Sequence, residues 1–529
     1  MSCPVARLPL LLAISLLTAC GSENDTDTSS ATSSPVAAVE LTPAGPADPL
    51  APVASAIAPD AEGCGSHAAG TPGFIACEQA NFAKVSEAPR EQLSNPLFLQ
   101  RLTAQSLSNS LSLAERLRND PSYLPFSTAG VSANTPLTPL CTSWALPCVG
   151  DPFRYPEVDP FYRDEAEVTP VVFYDRECAR LSGRVWRPLN ARGTLPAVVI
   201  QNGSVQAPEP LYWWMAQAAV RAGYVVLTFD PRGQGRSDQQ TPAGGQGSNA
   251  NPAVFWEGLV DAIDFFRSTP VQPYPHNLSC AGTYPTPVTA FNPQHAVQDR
   301  DRLGLVGHSL GATGVSIVQG YGAPGADPWP GLIDSANPVD VVVAWDGPLA
   351  PDGRAAGGAN GNLPSLAADA RQTTAYPAFG IRVPLMGQNG EYGLVPLPFT
   401  EVPDRAARLG PFLAWQEAGM PVIDLTLRGS SHYEWSLIPG FPASSWCPEV
   451  RDGRCRGGWG RPLAEHYTLA WLDRWLKRPG ERGHDDADAR LLDDARFRER
   501  LSFHFDSRRD FPQRDGQRRR CNTIRTSCQ

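Results

Sequence analysis

From residue 166 onward, short runs of β-branched and aliphatic residues alternate with longer stretches in which apolar positions recur every three to four residues. The first pattern is that of strands buried on both faces, and the second that of helices laying one apolar stripe on a sheet. The pattern predicts strands at 168–175, 179–188, 196–200, 224–229, 303–306, 339–344, 383–387 and 422–427. Helices are predicted at 211–222, at 252–266, directly after residue 309 and at 463–476, where Tyr467, Trp471 and Trp475 share a stripe suited to core packing. This alternation predicts an α/β class: a mostly parallel central sheet with helices on both faces.

The flanking segments have a different texture. One cation, Arg7, precedes an apolar run at 8–17 that is too short for a stable bilayer span, so 1–19 reads as an export signal. Its end, Leu17-Thr18-Ala19-Cys20-Gly21, resembles the lipobox of bacterial lipoproteins, which implies acylation of Cys20 as a lipid anchor; signal cleavage without lipid is the alternative. Residues 20–60 carry Ser, Thr, Ala, Pro and Asp but no aromatic residue, and are predicted to be a disordered tether. Residues 61–165, with many prolines and one amphipathic stretch through Leu107, Leu111, Ala114 and Leu117, form an N-terminal extension to the main domain at 166–478. After Pro479 the chain becomes charged, ending in Arg518-Arg519-Arg520, and 479–529 is expected to be a surface tail.

The charge of −10 over 529 residues leaves no basic face for a polyanion, so a nucleic-acid partner is not expected. The expected localisation is the cell envelope, or secretion. Of twelve cysteines, setting aside Cys3 and Cys20 leaves ten, an even number in a chain expected to reach an oxidising compartment. Proximity pairs Cys64 with Cys77, Cys141 with Cys148, Cys447 with Cys455 and Cys521 with Cys528, leaving Cys178 for Cys280. None has zinc-site spacing, so no structural metal is predicted.

Gly307-His308-Ser309-Leu310-Gly311 fits the G-x-S-x-G pattern, with a predicted buried strand before it and a helix after it. A serine in a strained turn between strand and helix projects its hydroxyl above the sheet, and flanking glycines remove side chains that would collide there. Ser309 is the candidate nucleophile. An unassisted hydroxyl attacks poorly, so it requires a histidine base and a carboxylate that fixes the tautomer of that base. Of eight histidines, His432 follows directly on a late strand; His308 is expected to pack beside the serine, and His466 and His504 fall in the last helix and the tail. Two carboxylates compete for the third role. Asp346 ends the strand after the elbow, at a strand-to-loop switch, and is the predicted acid; Glu391, after the turn-like Asn389-Gly390, is the alternative. The strand at 196–200 runs into Gln201-Asn202-Gly203-Ser204, where the Ser204 amide together with that of Leu310 is the candidate oxyanion hole.

In this order, Gly307-His308-Ser309, Ala344-Trp345-Asp346, Pro384-Leu385 followed by Gly390-Glu391-Tyr392, and Leu427 through His432 resemble the α/β-hydrolases over 166–478. The similarity is to the platelet-activating-factor acetylhydrolase and dienelactone hydrolase-like branches. Asp230-Pro231-Arg232-Gly233-Gln234-Gly235-Arg236-Ser237-Asp238 resembles a structural loop common after the fourth strand of that fold. The resemblance implies the α/β-hydrolase fold, an acid at Asp346, and hydrolysis of a small-molecule or lipid-like carboxylic ester through an acyl-enzyme without metal or organic cofactor. Serine replaces the cysteine of the dienelactone hydrolases, and families with haloalkane or epoxide chemistry carry aspartate in the elbow. An amidase or peptidase on the same three residues, and a non-catalytic cell-surface binding protein, remain open. Two loops bear on substrate: 347–382 as a cap, and Tyr212-Trp213-Trp214 either as an acyl-site lining or as helix packing.

Overall fold

The computed structural model describes residues 64–86, 161–204, 208–247, 251–354, 376–394, 396–436 and 461–526, with a few positions between 111 and 119. One sheet holds β1 (Ala166–Tyr174), β2 (Arg180–Pro188), β3 (Leu195–Gln201), β4 (Val225–Phe229), β5 (Gln298–His308), β6 (Val339–Trp345), β7 (Leu385–Tyr392), β8 (Val422–Ser431), β9 (Arg508–Pro512) and β10 (Arg518–Cys521). The spatial order is β1-β2-β4-β3-β5-β6-β7-β8-β9-β10. Strands β3 to β8 run parallel, whereas β1 and β2 at one side and β9 and β10 at the other are antiparallel. The helices used below are α1 (Pro72–Ala83), α2 (Trp213–Arg221), α3 (Glu257–Arg267), α4 (Leu310–Val318), α5 (Gly410–Glu417) and α6 (Arg461–Leu476). This is a mixed α/β architecture with a large, mostly parallel sheet.

Alternation along the strands divides the core. Val198, Ile200, Val341, Val343 and Trp345 face α2 and α6, where they meet Trp214, Tyr467 and Trp471. Ala197, Val199, Val342 and Ala344 face α3, α4 and α5, where they meet Ile263, Val315 and Trp415. Strands covered on both sides read as continuous apolar runs, and each buried aliphatic side chain contributes about 1.5–3 kcal/mol. Trp213 and Trp214 lie within the first of these layers, and Trp214 stacks on Trp345 with ring centroids 5.5 Å apart. They therefore pack the helix against the sheet, the second of the two roles expected for this stretch.

The structure differs from expectation in three places. The tail is not confined to the surface: β9 pairs with β8, Phe511 is buried, and Arg518 and Arg520 both reach Asp510. The helix α5 was not foreseen. Strand β7 runs through Asn389-Gly390 without turning, and absorbs the irregularity as a register shift against β8 between Gly390 and Tyr392.

Of the N-terminal extension, α1 is described; Thr71 caps it by accepting from the Phe74 amide at 3.3 Å. Cys64–Cys77 and Cys178–Cys280 are disulfides, and Cys521 is also disulfide-bonded. Cys20, the export signal, the tether, Leu107, Leu117, Cys141, Cys148, Cys447, Cys455, Cys528 and most of the proposed cap lie outside the described residues. Among the described residues, no helix is long and apolar enough to cross a membrane.

Candidate active site

Six parallel strands end at one side of the sheet, and Ser309, Asp346 and His432 gather there because each directly follows a strand. Ser309 sits between β5 and α4 with φ 58° and ψ −126°. That conformation is costly for a residue with a side chain and is held by its surroundings, including the Ser309 amide, which donates to the Trp345 carbonyl at 3.0 Å. The flanking glycines are required by contact. A Cβ at Gly307 would lie 2.3 Å from the Gly311 carbonyl oxygen, and one at Gly311 would lie 2.4 Å from the Asn202 carbonyl oxygen.

His432 follows β8, and its Nε2 lies 2.8 Å from Ser309 Oγ. Its Nδ1 lies 2.6 Å from Asp346 Oδ2. Asp346 ends β6 in a left-handed conformation, φ 47°, anchored by its own amide on the Gln388 carbonyl at 2.7 Å. Its second oxygen, Oδ1, accepts from the Gly390 amide at 2.8 Å. Burial opposes the Asp346 charge, but the hydrogen bond from His432, the charges of His432 and Arg408 and the Gly390 amide together hold its pKa below the ordinary carboxylate value. An ionised Asp346 and two hydrogen bonds in line give the arrangement what general-base activation of a hydroxyl requires.

Glu391 is fully buried and turned away from His432. Its carboxylate accepts from Asn81 Nδ2 at 2.5 Å, the Gly429 amide at 2.7 Å and Ser502 Oγ at 2.5 Å. It ties α1, β8 and the C-terminal segment together beneath the His432 loop. The structure thus brings Ser309, His432 and Asp346 together and puts Glu391 into a separate network.

The turn after β3 lies against Ser309: a Cβ at Gly203 would be 3.0 Å from Ser309 Cβ. Among the described residues, neither the Ser204 nor the Leu310 amide has a hydrogen-bond acceptor. Behind this turn, Asp230 accepts from Asn202 Nδ2 at 3.0 Å and from the Glu209 amide at 2.7 Å, while Glu209 pairs with Arg184 and Arg236. The loop after β4 therefore braces the turn.

Two residues without an assigned role also touch the site. His308 Nδ1 lies 2.8 Å from the Tyr212 hydroxyl, and His308 Nε2 lies 2.7 Å from the His432 carbonyl oxygen. The Tyr212 oxygen in turn accepts from the Gly203 amide at 3.1 Å. Burial, then the neighbouring His432, lowers the His308 pKa to about 3, and burial raises that of Tyr212 well above the phenol value. The position of His308 inside the elbow was the available sign; nothing in the sequence joined it to Tyr212.

Cys64, Glu78 and His504 cluster closely enough to suggest metal ligands. Cys64, however, is oxidised in its disulfide, and Glu78 is engaged by His504 Nε2, the Tyr392 hydroxyl and the Phe399 amide. A cation there would lack a thiolate.

No protein-family model matches the chain. A stretch of 174 residues, 32% of the chain, is 29% identical to Thiohydrolase apmlB of Arthrinium phaeospermum and covers 45% of that protein. The chain thus spans less than half the length of that relative, and this distant likeness to a protein named as a hydrolase suggests a hydrolytic enzyme.

Proposed function

We propose that the chain is a serine hydrolase of the α/β-hydrolase type that cleaves carboxylic esters through an acyl-enzyme on Ser309. The observation that carries this reading is the continuous line of hydrogen bonds from Ser309 Oγ through His432 to Asp346. His432 Nε2 takes the Ser309 proton as Oγ attacks the acyl carbon, and the negative oxygen that forms is held by the Ser204 and Leu310 amides. The protonated His432 then returns the proton to the departing alkoxide. Water repeats the sequence in reverse and frees the acid. Asp346 keeps Nδ1 of His432 protonated and stabilises its cation without accepting the proton. Each oxyanion donor is worth about 3 kcal/mol at the transition state.

The relative's name favours a second reading within the same chemistry, a thioester substrate. Attack and acyl-enzyme are unchanged, but a thiolate leaves with less need of the proton from His432. Amide cleavage, and a binding protein that does not turn over, are the competing outcomes of the test. p-Nitrophenyl esters of increasing chain length, acyl thioesters and p-nitroanilides are offered to the enzyme, and an organophosphonate labels its nucleophile. Turnover of ester or thioester with label on Ser309, abolished in Ser309→Ala, supports the proposal. Label on another serine, or turnover by the alanine variant, overturns it.

A further inference from the structure

The line from Gly203 to His432 runs in only one direction. An amide can only donate, so the Tyr212 oxygen accepts from Gly203. Tyr212 has a single proton, and among the described residues the acceptor in reach of it is His308 Nδ1. A carbonyl can only accept, so His308 Nε2 carries the proton that meets the His432 oxygen. Donor at one end and acceptor at the other leave no choice of tautomer between them, and a neutral His308, its pKa pulled down by burial, is the species this line requires.

We propose that Tyr212 and His308 are positioning residues: their hydrogen bonds tie the turn that carries the Ser204 amide to the backbone of His432, so that oxyanion hole and base are held in register on either side of Ser309. The proposal rests on the ester hydrolase reading above. Its geometry supports the link at both ends. Gly203 bears the carbonyl carbon to which the Ser204 nitrogen is bonded, so fixing Gly203 restricts where that amide points. At the other end, His308 lies beside the His432 ring, centroids 4.7 Å apart, and holds the carbonyl of the same residue whose ring reaches Ser309. Neither Tyr212 nor His308 needs to touch substrate. Their effect is on the alignment of groups that do, and belongs in kcat more than in KM.

Tyr212→Phe deletes one oxygen and leaves the Gly203 amide and His308 Nδ1 unanswered. His308→Phe removes both ring nitrogens, whereas His308→Gln keeps an acceptor and a donor on one carbon, as the two ring nitrogens flank one carbon. On a p-nitrophenyl ester, Tyr212→Phe and His308→Phe are each expected to lower kcat about 10- to 100-fold with KM changed less than about threefold. The double variant is expected to lose little more than either single one, because both break the same line. His308→Gln is expected to recover most of the loss. Full activity in both Phe variants, or losses that multiply in the double variant, overturns the proposal. Should the variants not fold, the wild-type protein still decides: ¹⁵N NMR of His308 at neutral pH is expected to show Nε2 protonated and Nδ1 bare, and the opposite tautomer overturns it. If Ser309→Ala is inactive while the Phe variants behave as wild type, the positioning proposal fails and the hydrolase reading stands. If Ser309→Ala retains turnover, it is that reading which fails.

Discussion

The exchange of Asp346 for asparagine tests how the base is oriented, and the structure dictates which way the new amide must face. Asp346 presents one oxygen to the Gly390 amide and the other to His432 Nδ1. In Asp346→Asn only one of those atoms remains an acceptor. Gly390 offers an N–H that can do nothing but donate, so the asparagine oxygen turns toward it and the NH₂ group faces His432. Nδ1 must then accept, which moves the ring proton to Nε2, the atom that takes the proton of Ser309 in the proposed mechanism. The base is present but in the wrong tautomer. A loss of this kind is about 10⁴ in kcat, equivalent to about 5.5 kcal/mol of transition-state stabilisation. Glu391→Gln is the matched control. The glutamine oxygen can still accept from Asn81 and Gly429, but its NH₂ group then meets Ser502 Oγ, which already accepts from the His504 and Phe505 amides, so that one buried hydrogen bond is lost. That variant is expected to stay within about tenfold of wild-type kcat and to lose about 1–3 kcal/mol of stability. The assay is steady-state turnover of a p-nitrophenyl ester by both proteins, alongside thermal unfolding to establish that each is folded. If Glu391→Gln is the crippled enzyme and Asp346→Asn turns over near the wild-type rate, the assignment of Asp346 is refuted.

Burial pushes Asp424 from its ordinary 3.8 up to about 8, against the hydrogen bonds it accepts from Asn389. The folded state therefore keeps a proton that the unfolded chain releases near pH ~4, so this group's contribution is full below that pH and is lost as the pH rises toward about 8. Asp424→Asn is expected to flatten the fall of Tm across that window, and an unchanged slope in calorimetry would count against the assignment. The Cys178–Cys280 bridge closes a loop of sequence separation 102, and replacing both cysteines by alanine is expected to cost about 3–5 kcal/mol in denaturant unfolding. A loss near zero would show that the bridge does not constrain the unfolded chain. Cys20→Ala is expected to move the protein from the membrane fraction to the soluble fraction after cell lysis, and an unlipidated wild-type N-terminus far from residue 20 would contradict the anchor.

What the sequence determined by itself was local. A buried strand, two glycines where no Cβ fits and a following helix specify the turn around Ser309, and only the backbone at the end of β3 and the Trp345 carbonyl add contacts from distant parts of the chain. The strands were legible for a similar reason: those buried on both faces carry continuous apolar runs, whatever packs on them. His432 stood out because it ends such a strand. Which of Asp346 and Glu391 lies beside His432 was not contained in either segment, since both carboxylates sit near strand ends. It was decided by β7 continuing past Gly390, which aims Glu391 at partners 310, 38 and 111 residues away. The strands of the tail were hidden for a related reason. In Arg508-Arg509-Asp510-Phe511-Pro512 only Phe511 and Pro512 are apolar, and the segment becomes a strand because β8 offers it an edge and Asp510 gathers the arginines. The line from Gly203 through Tyr212 and His308 to His432 joins residues from three separate stretches of chain, and only the folded sheet sets a phenol, an imidazole and a carbonyl within hydrogen-bond distance of one another.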